Sequence, residues 1–393
     1  MCLRRQDSAI LVAMKANSMI PRLVRHLAVG LLSASIMECA AAHRWNAVAD
    51  GGADSTGATD STAAIQRCID AAARAGGGTV YLPPGLYRIG SLSIGAGVRL
   101  ELAGGARDAR EGYTDAVRAA TLDPKVSAIV RTIPDRKVRH IFMYNLVPPA
   151  YCTNGVGDIT ISGGVFDCEG KMLVLAFACG RNIRLENMVV KDLPNNHAFQ
   201  IDGCSDVVVT NCLFAGYKMD GILTRETIQV EQTSPGAIVG NPKKWASPII
   251  CNPENAFYNR NVTVAGCWFG ASENLGPQLI PVGHHGRPPS CVGFSFTGHV
   301  VVDPLYAALR LPDFTDVTIA DNTFIATNRV PHLAKDEAII CLFGNRPKGP
   351  GSPMVTLRGN RYVLDPSVPR RKLFVSAPRK GDVRDESGER QVR

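Results

Sequence analysis

Two short stretches of this chain carry the same alternation of polar and apolar side chains. The stretches NHAFQID and RETIQVE lie 29 residues apart. Successive side chains of a β-strand point to opposite faces. Gln200 and Asp202 of the first stretch, and Gln229 and Glu231 of the second, are therefore predicted to point outward. The pattern places a glutamine and a carboxylate on the outer face of each of two strands.

Two carboxylates on neighbouring strands can carry out acid–base chemistry, since such strands lie roughly 4.8 Å apart. Like charges at that spacing repel, so one carboxyl group is expected to hold its proton through a raised pKa. A protonated acid beside an ionised carboxylate suits glycoside hydrolysis, and a separation of about 5 Å suits the retaining mechanism, a wider one the inverting mechanism. Asp202 and Glu231 are thus the predicted catalytic pair, with Glu226 assisting. The ordinary alternative is a solvated polar ladder.

Other polar residues near these strands are predicted to bind substrate. Arg310 lies six residues before Asp316, as Gln200 lies six before Asp206. It is therefore expected on the same outer face several coils away, where a guanidinium can bind a uronate carboxylate. The remaining predicted binding residues are His197, Gln200, Asp220, Arg225, Gln229, His284 and His285.

Two of these predictions have structural alternatives. His197 could instead be a hydrogen-bonded histidine at the corner of a coil. The prolines around His284 and His285, at positions 281, 288 and 289, predict a loop there.

A basic residue could instead remove the proton beside a uronate carboxyl group and begin a β-elimination. The basic candidates are Lys218, Arg225 and Arg310. A calcium-dependent elimination would need a cluster of oxygen ligands such as Asp202, Asp220 and Glu231. Hydrolysis by the carboxylate pair requires no cofactor.

The two stretches lie between the segments of an internal repeat, and six of these segments superimpose without gaps. Each segment reads polar, aliphatic, any, aliphatic, any and then a turn residue. The turn residue is glycine, asparagine or aspartate, which tolerate a left-handed backbone. The segments begin at Asp158, Asn182, Asp206, Asn261, Asp316 and Met354.

The spacing of the segments predicts a solenoid. Their starts are separated by 24, 24, 55, 55 and 38 residues. A period in the low to middle twenties with short strands is typical of stacked coils. The 55-residue steps fit two coils plus a loop, and the 38-residue step fits one coil plus an insertion. The predicted fold is an all-β parallel β-helix.

The chain divides into four predicted parts. Residues 1–42 resemble an export signal, with basic residues, then the apolar stretch 27–37, then small residues at 40–42. Residues 43–78 form a cap segment, residues 79–376 the β-helix and residues 377–393 a charged tail. The mature protein is therefore expected to be secreted or periplasmic, with no stable membrane insertion after the signal is removed.

The cap segment contains a predicted helix. Asp60, Ser61 and Thr62 can cap a helix over residues 63–75. Its apolar face would hold Ile65, Cys68, Ile69 and Ala72. Three glycines at 76–78 end it. A helix before the first strands is expected to cover the open end of the first coil.

The composition argues against a zinc-binding protein and a nucleic-acid-binding protein. The chain has 393 residues, 38 glycines, 6% aromatic residues and a formal net charge of +8. It has twelve cysteines but no CxxC pair, which disfavours a zinc site. No nucleic-acid-binding motif is present, so the basic charge favours an acidic polysaccharide, an anionic cell surface or simple solubility. The oligomeric state is not predicted.

The stretch GATDSTAAIQRCIDAAARAGGGTVYLPPGLYRIGSLSI resembles the opening of the pectate-lyase-like superfamily. GGGTVYLPPGLY is its most diagnostic part. The superfamily includes polygalacturonases, rhamnogalacturonases, phage tailspike depolymerases and related epimerases. The resemblance implies a right-handed β-helix and a polysaccharide ligand but does not fix the reaction. Residues 283–286, GHHG, resemble part of the polygalacturonase Gly-His-Gly element. The Asn-Thr-Asp and Asp-Asp elements lack counterparts, so polygalacturonase roles are not carried over.

The resulting hypothesis is an exported enzyme that cleaves a polysaccharide, an acidic one being the favoured substrate. Hydrolysis by Asp202 and Glu231 ranks first, and β-elimination by a basic residue ranks second. Uronate epimerisation is a third possibility. The alternative outside catalysis is a β-helix that binds a glycan without changing it. Nucleic acid is not an expected partner.

Overall fold

The computed structural model describes residues 43–133, 141–145, 157–171, 173–221, 225–231, 258–284, 291–327, 339–341, 355–365, 375–376 and 383–386. The predicted export signal, His285 and most of the predicted tail lie outside these residues.

The described strands form three long parallel sheets, which confirms the right-handed parallel β-helix. Each coil contributes one strand to each sheet, because no coil can bury its apolar row alone. Sheet A contains β1 (Arg44–Asn46), β3 (Gly78–Leu82), β6 (Val98–Leu102), β9 (Ile159–Gly163), β12 (Arg181–Glu186), β15 (Ser205–Thr210), β18 (Asn259–Ala265), β21 (Cys291–Thr297), β24 (Phe314–Ala320), β27 (Val355–Arg358) and β30 (Val383–Asp385).

The other two sheets follow the same axis. Sheet B contains β2 (Thr56–Asp60), β4 (Gly85–Ile89), β7 (Ala128–Thr132), β10 (Val165–Asp167), β13 (Val189–Leu193), β16 (Leu213–Tyr217), β19 (Trp268–Gly270), β22 (Val300–Val302), β25 (Thr323–Ala326) and β28 (Arg361–Leu364). Sheet C contains β5 (Leu92–Ile94), β8 (Ile141–Asn145), β11 (Leu173–Ala178), β14 (Phe199–Asp202), β17 (Glu226–Glu231), β20 (Ile280–Gly283), β23 (Leu309–Arg310), β26 (Ile340–Cys341) and β29 (Val375–Ser376).

The repeat register is confirmed in sheet A. Ile159, Ile183, Val207 and Val262 pair in sequence along the helix, and all four are fully buried. The predicted turn positions are left-handed, with φ values of 77, 59, 51, 61, 59 and 60°. The polar residue that opens a segment is left-handed as well, as at Asn182, where φ is 51°. The sequence pattern had marked that position only as polar.

The two 55-residue steps differ from each other, which corrects one prediction. The first step is a single coil, because β15 pairs directly with β18. The second contains an additional coil, with β21 between β18 and β24. In this coil Gly293 replaces the polar residue, and Phe294 and Phe296 replace the aliphatic pair. Aromatic residues fill the inward row in this coil, so a search of the sequence for an aliphatic pair does not detect it.

The N-terminal cap is a helix, as predicted. Helix α1 (Thr62–Arg74) buries Ile65, Ile69 and Ala72 against the first strands. Ser61 makes no side-chain capping bond, and the Thr62 amide instead donates to Asp60 Oδ1 at 2.8 Å. Left-handed glycines follow the helix, beginning with Gly76. The opposite end also differs from prediction, because β30 extends sheet A into the segment predicted as a tail.

An excursion covers the outer face of sheet B. It consists of a 3-10 turn (Ala109–Glu111) and helix α2 (Asp115–Thr121). The side chain of Asn211 anchors it, because Oδ1 accepts from the Ala109 amide at 2.7 Å. Beneath lies an outward apolar row that includes Ile129, Val165, Val189 and Leu213.

A buried ladder of polar side chains follows the corner between sheets A and B. His299 Nδ1 accepts from the Cys267 amide at 2.9 Å, and Nε2 lies 2.9 Å from the Val264 carbonyl. Asn322 repeats this pattern on the next coil, accepting from the His299 amide and donating to the Phe296 carbonyl. These bonds satisfy backbone groups that the turns leave without sheet partners.

Candidate functional site

The predicted pair of carboxylates lies on adjacent strands of sheet C. β14 and β17 pair in parallel, with Asp202 opposite Glu231 and Gln200 opposite Gln229. The alternating residues of both strands are fully buried in the core. Both carboxylates therefore point away from the core and occupy neighbouring rungs, as the sequence predicted.

The two carboxyl groups have different surroundings. Asp202 is only 4% exposed. Gln200 Nε2 donates to its Oδ2 at 2.9 Å, and Oδ1 is buried without a hydrogen-bond partner among the described residues. Burial raises the pKa of Asp202 well above its usual range, and the charge of Glu231 raises it further, while the Gln200 hydrogen bond opposes the shift. The surroundings of Asp202 therefore favour its protonated form.

Glu231 is the more open member, with 28% of its side chain exposed. His284 lies behind it, fully buried, with Nδ1 4.0 Å from Glu231 Oε1. A buried carboxyl group with a raised pKa therefore lies beside a more solvent-accessible carboxyl group. This asymmetry is the arrangement that a general acid and a base or nucleophile need.

The environment of His284 corrects the predicted loop. Residues 280–283 form β20 in spite of Pro281, because Ile280 and Val282 point into the core. The His284 amide donates to the Arg310 carbonyl at 3.0 Å and so continues the sheet. His284 is consequently a buried neighbour of Glu231 and is not exposed to a ligand in this structure.

Two further predicted residues lie where β17 begins. His197 is buried, with Nδ1 2.6 Å from the Glu226 carbonyl oxygen. This corresponds to the alternative of a hydrogen-bonded histidine at the coil corner. Glu226 is fully buried. Neither side chain is open to solvent, so direct contact with substrate would require a rearrangement.

Arg310 occupies the predicted outward position. Gln200, Gln229, Gly283 and Arg310 pair in sequence and form one outward row on sheet C. Arg310 is half-buried and lies two rungs beyond β17. The row therefore joins Arg310 to the carboxylate pair on one face.

The remaining predicted residues lie outside that row. Asp220 and Lys218 are exposed beyond the end of β16, and Arg225 is half-exposed just before β17. Among the described residues, His, Cys, Asp and Glu side chains do not assemble in groups of three or more suited to a metal ion. The oxygen cluster that a calcium-dependent elimination would need is thus not formed by Asp202, Asp220 and Glu231.

Sequence reasoning missed Asp313, three residues beyond Arg310. It is 8% exposed, and its Oδ1 has no hydrogen-bond partner in the part of the chain described. Desolvation raises the pKa of this carboxyl group. The available signal was an aspartate directly before a strand, the residue type that also begins repeat segments, and its φ of 60° is left-handed like theirs.

A buried network of charges on sheet B was also missed. Lys191 Nζ lies 2.5 Å from Asp192 and 3.2 Å from Glu273, and Arg131 Nε donates to Asp167 at 2.9 Å. Outward charges on a strand resemble a solvated face, so their burial could not be predicted from the pattern. The network ties the loop after β19 to sheet B.

The chain resembles several known proteins. Residues 45–117 match the family described as rhamnogalacturonase A/epimerase, pectate lyase-like. The plasmin and fibronectin-binding protein A of Streptococcus pneumoniae is 30% identical over 311 residues, which are 70% of this chain and 38% of that protein. Alginate lyase 7 of Azotobacter vinelandii is 35% identical over 133 residues, which are 32% of this chain and 13% of that enzyme. The chain thus spans well under half the length of either relative.

A solved structure extends the likeness to the fold. The crystal structure of PfbA, a surface adhesin of Streptococcus pneumoniae, superimposes with a TM-score of 0.65 at 21% identity. The match covers 88% of this chain and 81% of that chain. In the described part of the chain, helices are too short or too polar to cross a membrane.

Proposed function

Since this chain is a pectate-lyase-like, right-handed parallel β-helix protein, we propose that it is an exported enzyme that hydrolyses a polysaccharide. Asp202 is the general acid and Glu231 the nucleophile or the base that activates water. The observation that carries this proposal is the direct pairing of a buried carboxyl group that retains its proton with a more exposed carboxylate.

The proposed reaction gives each carboxyl group a separate role. Asp202 gives its proton to the glycosidic oxygen as the bond to the sugar carbon breaks. Glu231 either attacks that carbon, forming a glycosyl ester that water then hydrolyses while Asp202 takes the proton of that water, or it removes a proton from a water that attacks the carbon directly. Asp202 is suited to the first step because an ionised acid would have no proton to give. Glu231 is suited to the second because 28% of its side chain is exposed.

The substrate that fits best is an acidic polysaccharide. Arg310 lies on the same face as the pair and is half-buried, and its permanent positive charge can attract a uronate carboxylate. The basic composition of the chain agrees with an anionic ligand.

Product analysis on acidic and neutral polysaccharides tests the proposal. New reducing ends and the ultraviolet absorbance of unsaturated uronates are followed together. The Asp202→Asn/Glu231→Gln protein is compared with wild type, and Asp316→Asn serves as a matched control at an exposed aspartate. Hydrolysis predicts reducing ends without absorbance, lost only in the double variant. Cleavage that survives in the double variant would refute the assignment of the pair.

β-Elimination is the second candidate, favoured by the likeness to alginate lyase 7. The base would be Arg310, Arg225 or Lys218. The same assay separates the two reactions, because elimination produces an unsaturated uronate that absorbs in the ultraviolet. An epimerase would change the sugar without changing chain length.

A binding protein without catalysis is the third candidate, favoured by the likeness to the plasmin and fibronectin-binding protein A. This candidate predicts that polysaccharide binding is unaltered in the Asp202→Asn/Glu231→Gln protein. Equal binding by both proteins, together with no cleavage by wild type, would support it over hydrolysis.

A further inference from the structure

Residues 271–276, which follow β19, form a strap against sheet B. The Ser272 amide donates to the Leu275 carbonyl at 3.0 Å, and Ser272 Oγ accepts from the amides of Asn274 and Leu275 at 3.1 and 2.9 Å. None of the six residues is fully buried. The strap therefore keeps its own turn through internal hydrogen bonds and buries little apolar surface.

The strap is fastened two coils away, on β13. Asp192 Oδ1 accepts from Ser272 Oγ at 2.6 Å, and Asp192 Oδ2 accepts from Asn274 Nδ2 at 2.7 Å. Lys191 Nζ lies 3.2 Å from Glu273 Oε1. Three consecutive residues of the strap are thus each held by one of two consecutive residues of β13.

The backbone beneath the strap is shaped for this attachment. Asp192 is left-handed, with a φ of 54°, although it lies inside a strand. A positive φ is uncommon for a residue other than glycine and indicates a local constraint. At Gly216 a Cβ would lie 2.4 Å from Ser272 Oγ and 2.8 Å from Asp192 Oδ1. Glycine at this position leaves the room in which the two side chains meet.

A buried positive charge compensates the acids under the strap. The Lys191 side chain is 4% exposed, and its Nζ lies 2.5 Å from Asp192 Oδ2 and 3.7 Å from Asp167 Oδ1. Burial lowers the pKa of Lys191, but the neighbouring acids outweigh burial and raise it. Burial raises the pKa of Asp192, but hydrogen bonds from Lys191 and the strap outweigh burial and lower it. The strap therefore stabilises the ionised form of the carboxylate that fastens it.

The far end of the strap leads to β17. The carbonyl of Gly276 accepts from the Tyr217 amide at 2.7 Å. Shortly after it, the buried side chain of Gln278 accepts from Thr227 Oγ1 at 2.6 Å. Thr227 lies near the beginning of β17, and Glu231 ends that strand. The strap thus connects the charges of sheet B with the strand that carries Glu231.

We propose that the strap opens and closes as one unit, with Lys191 and Asp192 as its latch, and that closure orders the beginning of β17. On opening, the internal turn of the strap persists, while its bonds to Asp192 and Tyr217 break. A segment held by a few polar contacts opens at a lower free energy than the core strands do. The device is independent of the reaction that sheet C carries.

Amide hydrogen exchange resolved to single residues tests the inference. The Tyr217 amide reports the attachment of the strap, and the Ser272 amide reports its internal turn. The Trp268 amide donates to the Cys212 carbonyl at 3.0 Å and reports sheet B itself. In wild type the Tyr217 amide is expected to exchange faster than the Trp268 amide, because the strap opens without the sheet.

Two substitutions weaken the latch while they keep the shape of the side chain. They are Asp192→Asn, in which asparagine tolerates the left-handed backbone, and Glu273→Gln. Each is expected to accelerate exchange of the Tyr217 amide by about 10- to 100-fold. The Ser272 and Trp268 amides should change by less than about twofold, because the turn and the sheet stay intact.

Glu186→Gln is the matched control for Glu273→Gln. The Glu186 side chain is 22% exposed, against 27% for Glu273, and it lies 3.9 Å from Arg184 on sheet A. This substitution removes a similar charge away from the strap. It should leave the exchange of all three reporting amides unchanged.

The link to β17 has its own reporter. The Ala198 amide donates to the Thr227 carbonyl at 2.7 Å and so reports the pairing of β14 with the beginning of β17. Both latch variants should accelerate its exchange together with that of the Tyr217 amide. Acceleration at Tyr217 alone would refute the link to β17.

Three other results would overturn the opening of the strap as one unit. Equal acceleration at Tyr217 and Trp268 would show that sheet B loosens as a whole. Equal acceleration at Tyr217 and Ser272 would show that the turn unfolds. Unchanged exchange at Tyr217 in both latch variants, shown to be folded by circular dichroism, would remove the latch. The measurement needs no substrate, so it stands apart from success or failure of the proposed hydrolysis.

Discussion

Replacing Asp202 by asparagine should reduce activity and increase stability at neutral pH. The substitution keeps the shape of the side chain and removes its proton transfer. Loss of a general acid lowers the rate by about 10²- to 10⁴-fold. The gain in stability has the same cause as the raised pKa of Asp202, because burial disfavours the charged form of its side chain.

The sign of the stability change can be worked out from the pKa shift. The pKa of Asp202 in the folded protein lies above its value in the unfolded chain, which is about 3.9. Between the two values the folded state binds more protons, so stability falls as pH rises through this window. Each unit of difference costs about 1.4 kcal/mol above the folded-state pKa. Asparagine does not ionise, so the variant escapes this loss.

The assay measures the free energy of unfolding in urea at several values between pH 4 and pH 8. The difference between Asp202→Asn and wild type should grow in favour of the variant as pH rises. Asp316→Asn is the matched control: Asp316 is exposed, and asparagine occupies its repeat position at Asn182 and Asn261. A difference that is independent of pH would refute the burial argument. Full activity in Asp202→Asn would refute its role as the acid.

Three further predictions follow from the strand register and the left-handed turns. If Glu231 is the nucleophile, its one-rung distance from Asp202 predicts retention at the anomeric carbon, and proton NMR of fresh product showing inversion would exclude that role. His299→Asn should leave the unfolding free energy nearly unchanged. His299→Leu should lower it by about 2 to 4 kcal/mol, since the Cys267 amide and the Val264 carbonyl lose their hydrogen-bond partner. Equal losses of unfolding free energy in urea for the two variants would contradict the role given to the buried polar ladder. Gly266→Asn should be tolerated within about 0.5 kcal/mol, because no atom lies within 4 Å of a Cβ there, whereas Gly163→Asn should cost about 3 kcal/mol or more, because its Cβ would lie 2.1 Å from the Leu102 carbonyl; similar melting temperatures for the two would refute the steric argument.

The register of the site could be predicted because it depends on short-range pattern. Phe199 and Ile201 must point inward, which fixes Gln200 and Asp202 outward. A slip of one residue would expose the whole apolar row. The same logic placed Arg310 on this face from its distance to the next repeat segment. The alternation of apolar and polar residues thus predicts both the fold and the direction of each side chain.

Burial of the outward side chains could not be predicted in the same way. The two-residue alternation of the strand predicts that the Asp202 side chain points away from the core. Its 4% exposure depends on what neighbouring coils place over it. Gly283 illustrates the limit. Its lack of a side chain makes room for Glu226, which comes from a strand more than fifty residues earlier in the chain. Such contacts arise from the spacing between coils and leave no local trace in the sequence.

The spacing of the carboxylate pair is fixed by the backbone and one buried amide. Asn259 Oδ1 accepts from the Cys204 amide at 2.7 Å, and its Nδ2 donates to the Ile201 carbonyl at 3.2 Å and the Glu231 carbonyl at 2.7 Å. One side chain therefore joins the ends of both strands immediately beside Asp202 and Glu231. Changes in surface loops would leave this distance intact. On the proposed assignment, the spacing of the two carboxyl groups thus depends on the core of adjacent coils and not on the loops, so one β-helix fold can keep this spacing while its loops differ.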